Sequence, residues 1–176
     1  MAHITLDWWK ATEIPLSESE WRNVKLYCDK DTYWDTSSKC VYVICLSPPF
    51  AVCYDKGDSP IIYIGRTQNG KTFRQRWKSH IATWINPLGR FLPGGRYEMR
   101  VLEDHRYKAI ESDFLFLFRE SYGRLPLANL QGGDKKVKHG YDQKELDELA
   151  IRDRRYWWAI RPRQQDVKDY FDRGID

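Results

Sequence analysis

The chain has 176 residues, of which 41% are hydrophobic and 15% aromatic, and its 29 Lys and Arg against 25 Asp and Glu give a formal net charge of +4. This length fits one compact domain, and the mildly basic charge permits nucleic-acid binding without establishing it. No apolar run approaches the roughly 20 residues of a membrane-spanning helix, and the start of the chain lacks the basic and apolar regions of a signal peptide, so we predict a cytoplasmic protein with no membrane partner.

The four cysteines, Cys28, Cys40, Cys45 and Cys53, form no C-x-x-C pair, and no histidine stands at zinc-binding spacing from them. This pattern predicts reduced thiols that fill core space as small apolar side chains.

The first segment of the chain, residues 1–38, is predicted to be a helical extension. Ser17 followed by Glu20 is a capping-box pattern, and it predicts a short helix over residues 21–28. This extension is expected to precede the main domain.

The next segments predict two strands. Residues 39–46 are a dense β-branched and aromatic run, typical of a buried strand. Residues 47–60 contain Pro and Gly-Asp turn signals and predict an irregular connection. Residues 61–65 predict a second strand that ends at Gly65.

The rest of the chain predicts helices that alternate with one more strand. Thr72 can cap a helix that runs to about residue 86, and residues 97–104 read as a third strand. A helix over residues 107–123 is expected to end at its glycine, and a last helix is expected over residues 142–161.

This order predicts an α+β, sandwich-like fold with a small, mainly antiparallel sheet of three strands flanked by helices. We divide the chain into residues 1–38, a core of residues 39–131, and a basic and aromatic helical extension of residues 132–176, all within one compact domain.

Arg76 and His80 are four residues apart, so they form one stripe beside the apolar face of their helix. Spacing alone favours a solvated flank, and the alternative is the wall of a cleft. Tyr42 and Tyr63 each interrupt an aliphatic strand, which is common for structural tyrosines.

Glu111 shares a helix face with Leu115 and Phe118, so a carboxylate lies on the apolar side. A buried carboxylate needs a partner. Either an arginine pairs with it, or it binds a hard divalent cation.

Taken in order, these residues resemble the motifs of the GIY-YIG nuclease superfamily over about residues 39–131. The first motif here reads Cys40-Val41-Tyr42 and lacks the family's glycine. The resemblance rests on Val41-Tyr42, Tyr63-Ile64-Gly65, Arg76 with His80, Glu111 and Asn129.

The resemblance implies a divalent-metal-dependent endonuclease that hydrolyses DNA, with double-stranded DNA as the favoured substrate. The enzyme would be a stand-alone restriction-type or DNase-type nuclease. Glu111 would hold one Mg²⁺, with Mn²⁺ as a substitute, and Arg76 would place positive charge at the phosphate. We favour Tyr42 as the general base, with Tyr63 orienting the water or phosphate. His80 would either accept a proton from this base or tune its pKa.

Further contacts are expected around this site. Arg66, Lys71 and Asn129 would bind substrate, and Asn129 would also brace the site. Basic residues in the last segment either contact DNA or are simply solvated: Lys135, Lys136, Lys138, Arg154 and Arg155.

Paired cleavage of two strands is compatible with a homodimer, and a toxin role would imply an inhibitor or immunity protein as partner. The alternative function is a non-catalytic nucleic-acid-binding module of the same fold. A structural or protein-interaction domain is a third class, but it leaves the inward carboxylate unexplained.

Overall fold

The structure is a computed structural model that describes residues 3–4, 9–15, 39–67, 73–80, 83, 96–132, 137, 140–141 and 158–161. These residues form strands in three sheets together with two helices, which confirms the predicted α+β class. Within this described part, no helix is long and apolar enough to cross a membrane.

The main sheet is antiparallel and has the strand order β2-β7-β3-β6. Its central strand β3 (Cys40–Leu46) has every residue buried, because its β-branched and aromatic residues face covered surfaces on both sides. The other three strands are β2 (Trp9–Pro15), β6 (Ile61–Arg66) and β7 (Arg96–Glu103).

The sheet therefore has four strands in the described ranges, and the prediction of three was wrong. The extra strand is β2, which pairs with β7 where a helical extension was expected. Thr12 and Ile14 are β-branched residues, which are compatible with a strand once an edge is available. The helix predicted over residues 21–28 lies outside the described residues.

A second sheet has the order β5-β4-β9. The segment predicted as irregular contains a hairpin of β4 (Phe50–Tyr54) and β5 (Gly57–Ser59), and its turn is Asp55-Lys56. The strand β9 (Trp158–Ile160) runs parallel to β4, so the helix predicted to reach residue 161 is wrong over these three residues.

The departure at β9 depends on its partner, because β4 offers these residues an edge to pair with. Pro162 disfavours a helical conformation of the residue before it, and the aromatic and β-branched residues of β9 suit an edge strand. A short parallel pair, β1 (His3–Ile4) with β8 (Gly140–Tyr141), completes the described strands.

Two helices flank the sheets. The first, α1 (Phe73–His80), lies within the range predicted from Thr72, and residues 72, 81–82 and 84–86 of that prediction lie outside the described residues. The second, α2 (Tyr107–Tyr122), ends as predicted at Gly123, whose φ of 85° lets its N–H donate to the carbonyl of Arg119.

The core lies between α2 and the strands. Ile110, Phe114 and Phe118 are buried there, while Leu117 is only partly buried. Cys40 and Cys45 are fully buried in the same core, so the expectation of core cysteines is confirmed for this pair.

Candidate active site

A buried tyrosine and a buried histidine meet at the centre of the candidate site. The hydroxyl of Tyr42 on β3 and Nε2 of His80, the last residue of α1, are 2.6 Å apart. Tyr42 is fully buried and His80 is 6% exposed. The solvated flank that spacing alone favoured is therefore wrong for His80, because the i, i+4 stripe turns toward the sheet.

Burial determines the charge states of this pair. Desolvation, with a smaller contribution from the Arg76 guanidinium, lowers the pKa of His80 to about 3. Desolvation and then Tyr63 raise the pKa of Tyr42 well above its usual value, against the effect of Arg76. Near neutral pH the pair is thus a neutral imidazole and a neutral phenol, and the tautomer of His80 decides which of the two donates.

Tyr63 on β6 packs beside this pair. Its ring centroid lies 4.5 Å from that of His80 and 5.9 Å from that of Tyr42. Register explains the proximity, because Tyr42 lies opposite Gly65 and two residues from Tyr63 along the same face of β6. Tyr63 is only half-buried, so it is the tyrosine nearer to solvent.

Gly65 makes this placement of Tyr63 possible. A Cβ on Gly65 would overlap the Tyr63 ring at Cε1 and lie 2.9 Å from its hydroxyl oxygen. The strand continues through Gly65 to Arg66, so the prediction that it ends at Gly65 was wrong. Gly65 is therefore needed to leave space for the Tyr63 ring, and it does not form a turn.

Arg76 interacts with both tyrosines. Its guanidinium lowers the pKa of both hydroxyls through charge and hydrogen bonding, although burial dominates and the pKa of Tyr63 is raised overall. Within the described part of the chain, the buried Nε of Arg76 has no hydrogen-bond partner. A buried cationic donor of this kind is suited to an anionic ligand.

Glu111 on α2 forms an ion pair with Arg66, at 3.0 Å between Oε2 and Nη1. The Glu111 side chain is 20% exposed, and burial raises its pKa, against the effects of Arg66 and Arg76. The salt-bridge alternative for Glu111 is therefore present in the structure. The charge of Arg76 lowers the pKa of both Tyr63 and Glu111, so the tyrosines and the ion pair belong to one electrostatic site.

Asn129 braces β6 from the loop after α2. The Ile64 N–H donates to Asn129 Oδ1 at 2.9 Å, and Asn129 Nδ2 donates to the Ile64 carbonyl at 2.8 Å. The amide thus replaces a neighbouring strand at the edge of the sheet and holds Ile64 between Tyr63 and Gly65. This is the bracing role predicted for Asn129, while its predicted contact with substrate is untested.

Tyr54 is a supporting residue that sequence reasoning missed. Its hydroxyl donates to the Ile61 carbonyl at 2.5 Å and accepts from the Leu127 N–H at 3.1 Å. Arg124 lies 5.2 Å from the ring centroid and also donates to the carbonyl of Cys53. The loop that carries Asn129 is thereby fixed to both β4 and β6. The available signal was a tyrosine ending a short apolar run, which resembles many structural tyrosines.

The remaining predicted site residues lie outside the described residues, and they stay predictions: Lys71, Lys135, Lys136, Lys138, Arg154 and Arg155.

The site as described has a positive balance. Arg66 and Arg76 are opposed by Glu111 alone when the imidazole and phenols are neutral. One excess positive charge beside the buried Nε donor of Arg76 suits an anionic ligand.

A divalent cation fits this donor set only with help from a substrate. The described residues contain no group of three or more His, Cys, Asp or Glu side chains that could enclose a metal. Mg²⁺ often uses one or two carboxylates and completes its shell with water and substrate phosphates. Glu111 is compatible with such a site.

Comparisons with protein-family models, with curated proteins and with solved structures found no match to this chain.

Proposed function

We propose that this protein is a divalent-metal-dependent endonuclease that hydrolyses phosphodiester bonds in DNA with a GIY-YIG-like core. The observation that carries the proposal is the convergence of Tyr42, His80, Tyr63 and Arg76 on one buried site, with the Arg66–Glu111 pair adjoining it. These side chains come from two strands and two helices that are distant in the sequence. A common chemical task explains their meeting better than packing alone does.

Arg76 is the group that would bind the scissile phosphate. Its buried Nε offers a donor that needs an acceptor, and a phosphate oxygen supplies one. Charge at this position acts most strongly where negative charge develops in the transition state.

Tyr42 and His80 would move the proton of the attacking water. A phenol is a weak base near neutral pH. The Tyr42 hydroxyl contacts the His80 imidazole, but the low pKa of His80 and the raised pKa of Tyr42 both oppose proton transfer between them in the free protein. We retain Tyr42 as the base and His80 as its proton acceptor on the condition that bound DNA and cation lower the pKa of Tyr42 and raise that of His80. Tyr63, the more exposed hydroxyl, would orient the water or the phosphate.

Glu111 would hold the cation. When bound there, Mg²⁺ or Mn²⁺ would supply Lewis-acid stabilisation of charge on the phosphoryl and leaving oxygens. Duplex DNA is the favoured substrate in this proposal, in a restriction or DNase role.

The test is cleavage of supercoiled plasmid DNA with Mg²⁺, with Mn²⁺ and with EDTA. Glu111→Gln should abolish cleavage, and Glu120→Gln, at an exposed position of the same helix, should not. Tyr42→Phe should likewise abolish cleavage, while Tyr97→Phe removes a hydroxyl from another buried strand tyrosine and should retain activity. Cleavage by Glu111→Gln at the wild-type rate would refute the metal assignment.

A second candidate is a nucleic-acid-binding module without cleavage. The Arg66–Glu111 ion pair favours it, because a carboxylate that is already paired needs no cation. DNA binding that persists with no product at any metal concentration would select this module. Sequencing of product ends would separate restriction-like readout from non-specific cutting.

A further inference from the structure

Arg66 and Glu111 form a contact that the proposed reaction must rearrange. The guanidinium reaches Glu111 Oε2 at 3.0 Å, a hydrogen-bonding distance, so this oxygen already has a cationic partner. A divalent cation prefers the same carboxylate oxygens. Two cations therefore compete for one carboxylate, and the binding of one weakens the binding of the other.

Without DNA, Glu111 favours Arg66 over a divalent cation. Its side chain is only 20% exposed, so the partly buried carboxylate gains from a positive neighbour. A single carboxylate is a weak Mg²⁺ ligand set, since Mg²⁺ gives up its waters reluctantly. Without other anionic ligands, the built-in guanidinium is the favoured partner.

A phosphodiester changes this balance. Arg66 directly follows Gly65 at the end of β6, and 38% of its side chain is exposed, so it has room to turn toward a ligand in the site. Its planar guanidinium matches two phosphate oxygens as well as it matches a carboxylate. The same phosphate would also offer oxygens to a cation at Glu111. Binding of DNA would therefore release the Glu111 carboxylate from Arg66 and, at the same time, supply further oxygen ligands for the cation.

We propose that Arg66 is an exchange residue that makes metal binding at Glu111 depend on DNA: it pairs with Glu111 in the free protein and moves to the phosphate in the complex. This inference rests on the proposed function and adds an order of binding to it. The protein would hold no tightly bound metal before it meets DNA.

The test is the affinity for Mn²⁺ alone, measured without DNA from the electron paramagnetic resonance signal of free Mn²⁺. Arg66→Gln should bind Mn²⁺ at least about tenfold more tightly than wild type, because the competing cation is gone. The gain should vanish in Arg66→Gln/Glu111→Gln. Arg119→Gln makes the same change at an exposed position of α2 and should leave the affinity at the wild-type value.

A second arm tests the exchange itself. In a Tyr42→Phe background, where cleavage is blocked, a short DNA duplex should raise Mn²⁺ affinity at least about tenfold, after subtraction of the Mn²⁺ that the duplex binds by itself. In Tyr42→Phe/Arg66→Gln the duplex should raise it much less.

The outcomes separate the two proposals. Equal Mn²⁺ affinity of wild type and Arg66→Gln, abolished in both by Glu111→Gln, would overturn the exchange and leave the metal site standing. Binding of Mn²⁺ that ignores Glu111 in every variant, with and without DNA, would overturn the metal site and the exchange with it.

Discussion

Replacing Gly65 with alanine should destabilise the protein through a single contact, the one with the Tyr63 ring. Gly65 lies inside β6, so an extended backbone accepts alanine, and the obstacle is the overlap of the new Cβ with Tyr63 Cε1. Because the Tyr63 side chain is half-buried, its ring can move away from the new Cβ. It would then leave its position 4.5 Å from His80.

The magnitude follows from two opposed effects. Overpacking of this kind costs about 1–3 kcal/mol of the free energy of unfolding, while the loss of glycine flexibility in the unfolded chain returns about 0.4–1 kcal/mol. We expect Gly65→Ala to lower the free energy of unfolding by roughly 1–2 kcal/mol, which corresponds to a drop in Tm of about 2–8 °C for a chain of this size.

The assay is a double-mutant cycle by denaturant unfolding. In a Tyr63→Ala background the obstacle is gone, so Gly65→Ala should become neutral or stabilising, with a coupling energy of about 1–3 kcal/mol. Gly57→Ala is the control: its backbone has a φ of 146° and no atom near the new Cβ, so its cost should be the same in both backgrounds. A Gly65→Ala cost that persists in Tyr63→Ala would refute this account of the glycine.

Two further predictions concern the stability of the site. Because the folded pKa of His80 is about 3, below its unfolded value near 6.5, its stabilising effect is full above about pH 6.5 and is lost as pH falls toward 3, with a slope of up to about 1.4 kcal/mol per pH unit. His80→Gln should flatten that part of the curve of unfolding free energy against pH, and an unchanged slope in this variant would contradict the buried neutral imidazole. Asn129→Ala removes both hydrogen bonds to Ile64 and should cost about 1–3 kcal/mol in thermal unfolding, with faster hydrogen exchange at the Ile64 amide. Full protection of that amide in Asn129→Ala would show that another group braces the strand.

Sequence patterns predicted the elements whose information is local. The continuous apolar run of β3 indicates a strand buried on both faces. The periodic apolar residues of α2 indicate a helix buried on one face. The four-residue spacing of Arg76 and His80 correctly placed them on one side of a helix. It did not determine which way that side faced, which only the packing of α1 against Tyr42 decides.

The missed elements depend on partners elsewhere in the chain. The strand β9 is three residues long and exists because β4 offers it an edge, and β2 similarly depends on β7. Strand propensity at such sites reports packing rather than intrinsic preference. The pairing of Arg66 with Glu111 could not be read from the sequence for the same reason, because a helix face indicates that a carboxylate needs a partner without naming it.

The parallel pairing of β4 with β9 has a consequence for synthesis on the ribosome. The β4–β5 hairpin emerges early, yet the strand that covers its other edge is translated far later. Until then the backbone N–H and C=O groups of Phe50, Ala51 and Val52 along that edge are open to strands of neighbouring nascent chains. Crowded translation of this protein should therefore favour mispairing at β4 rather than at the central strand β3, whose two neighbours are both made sooner.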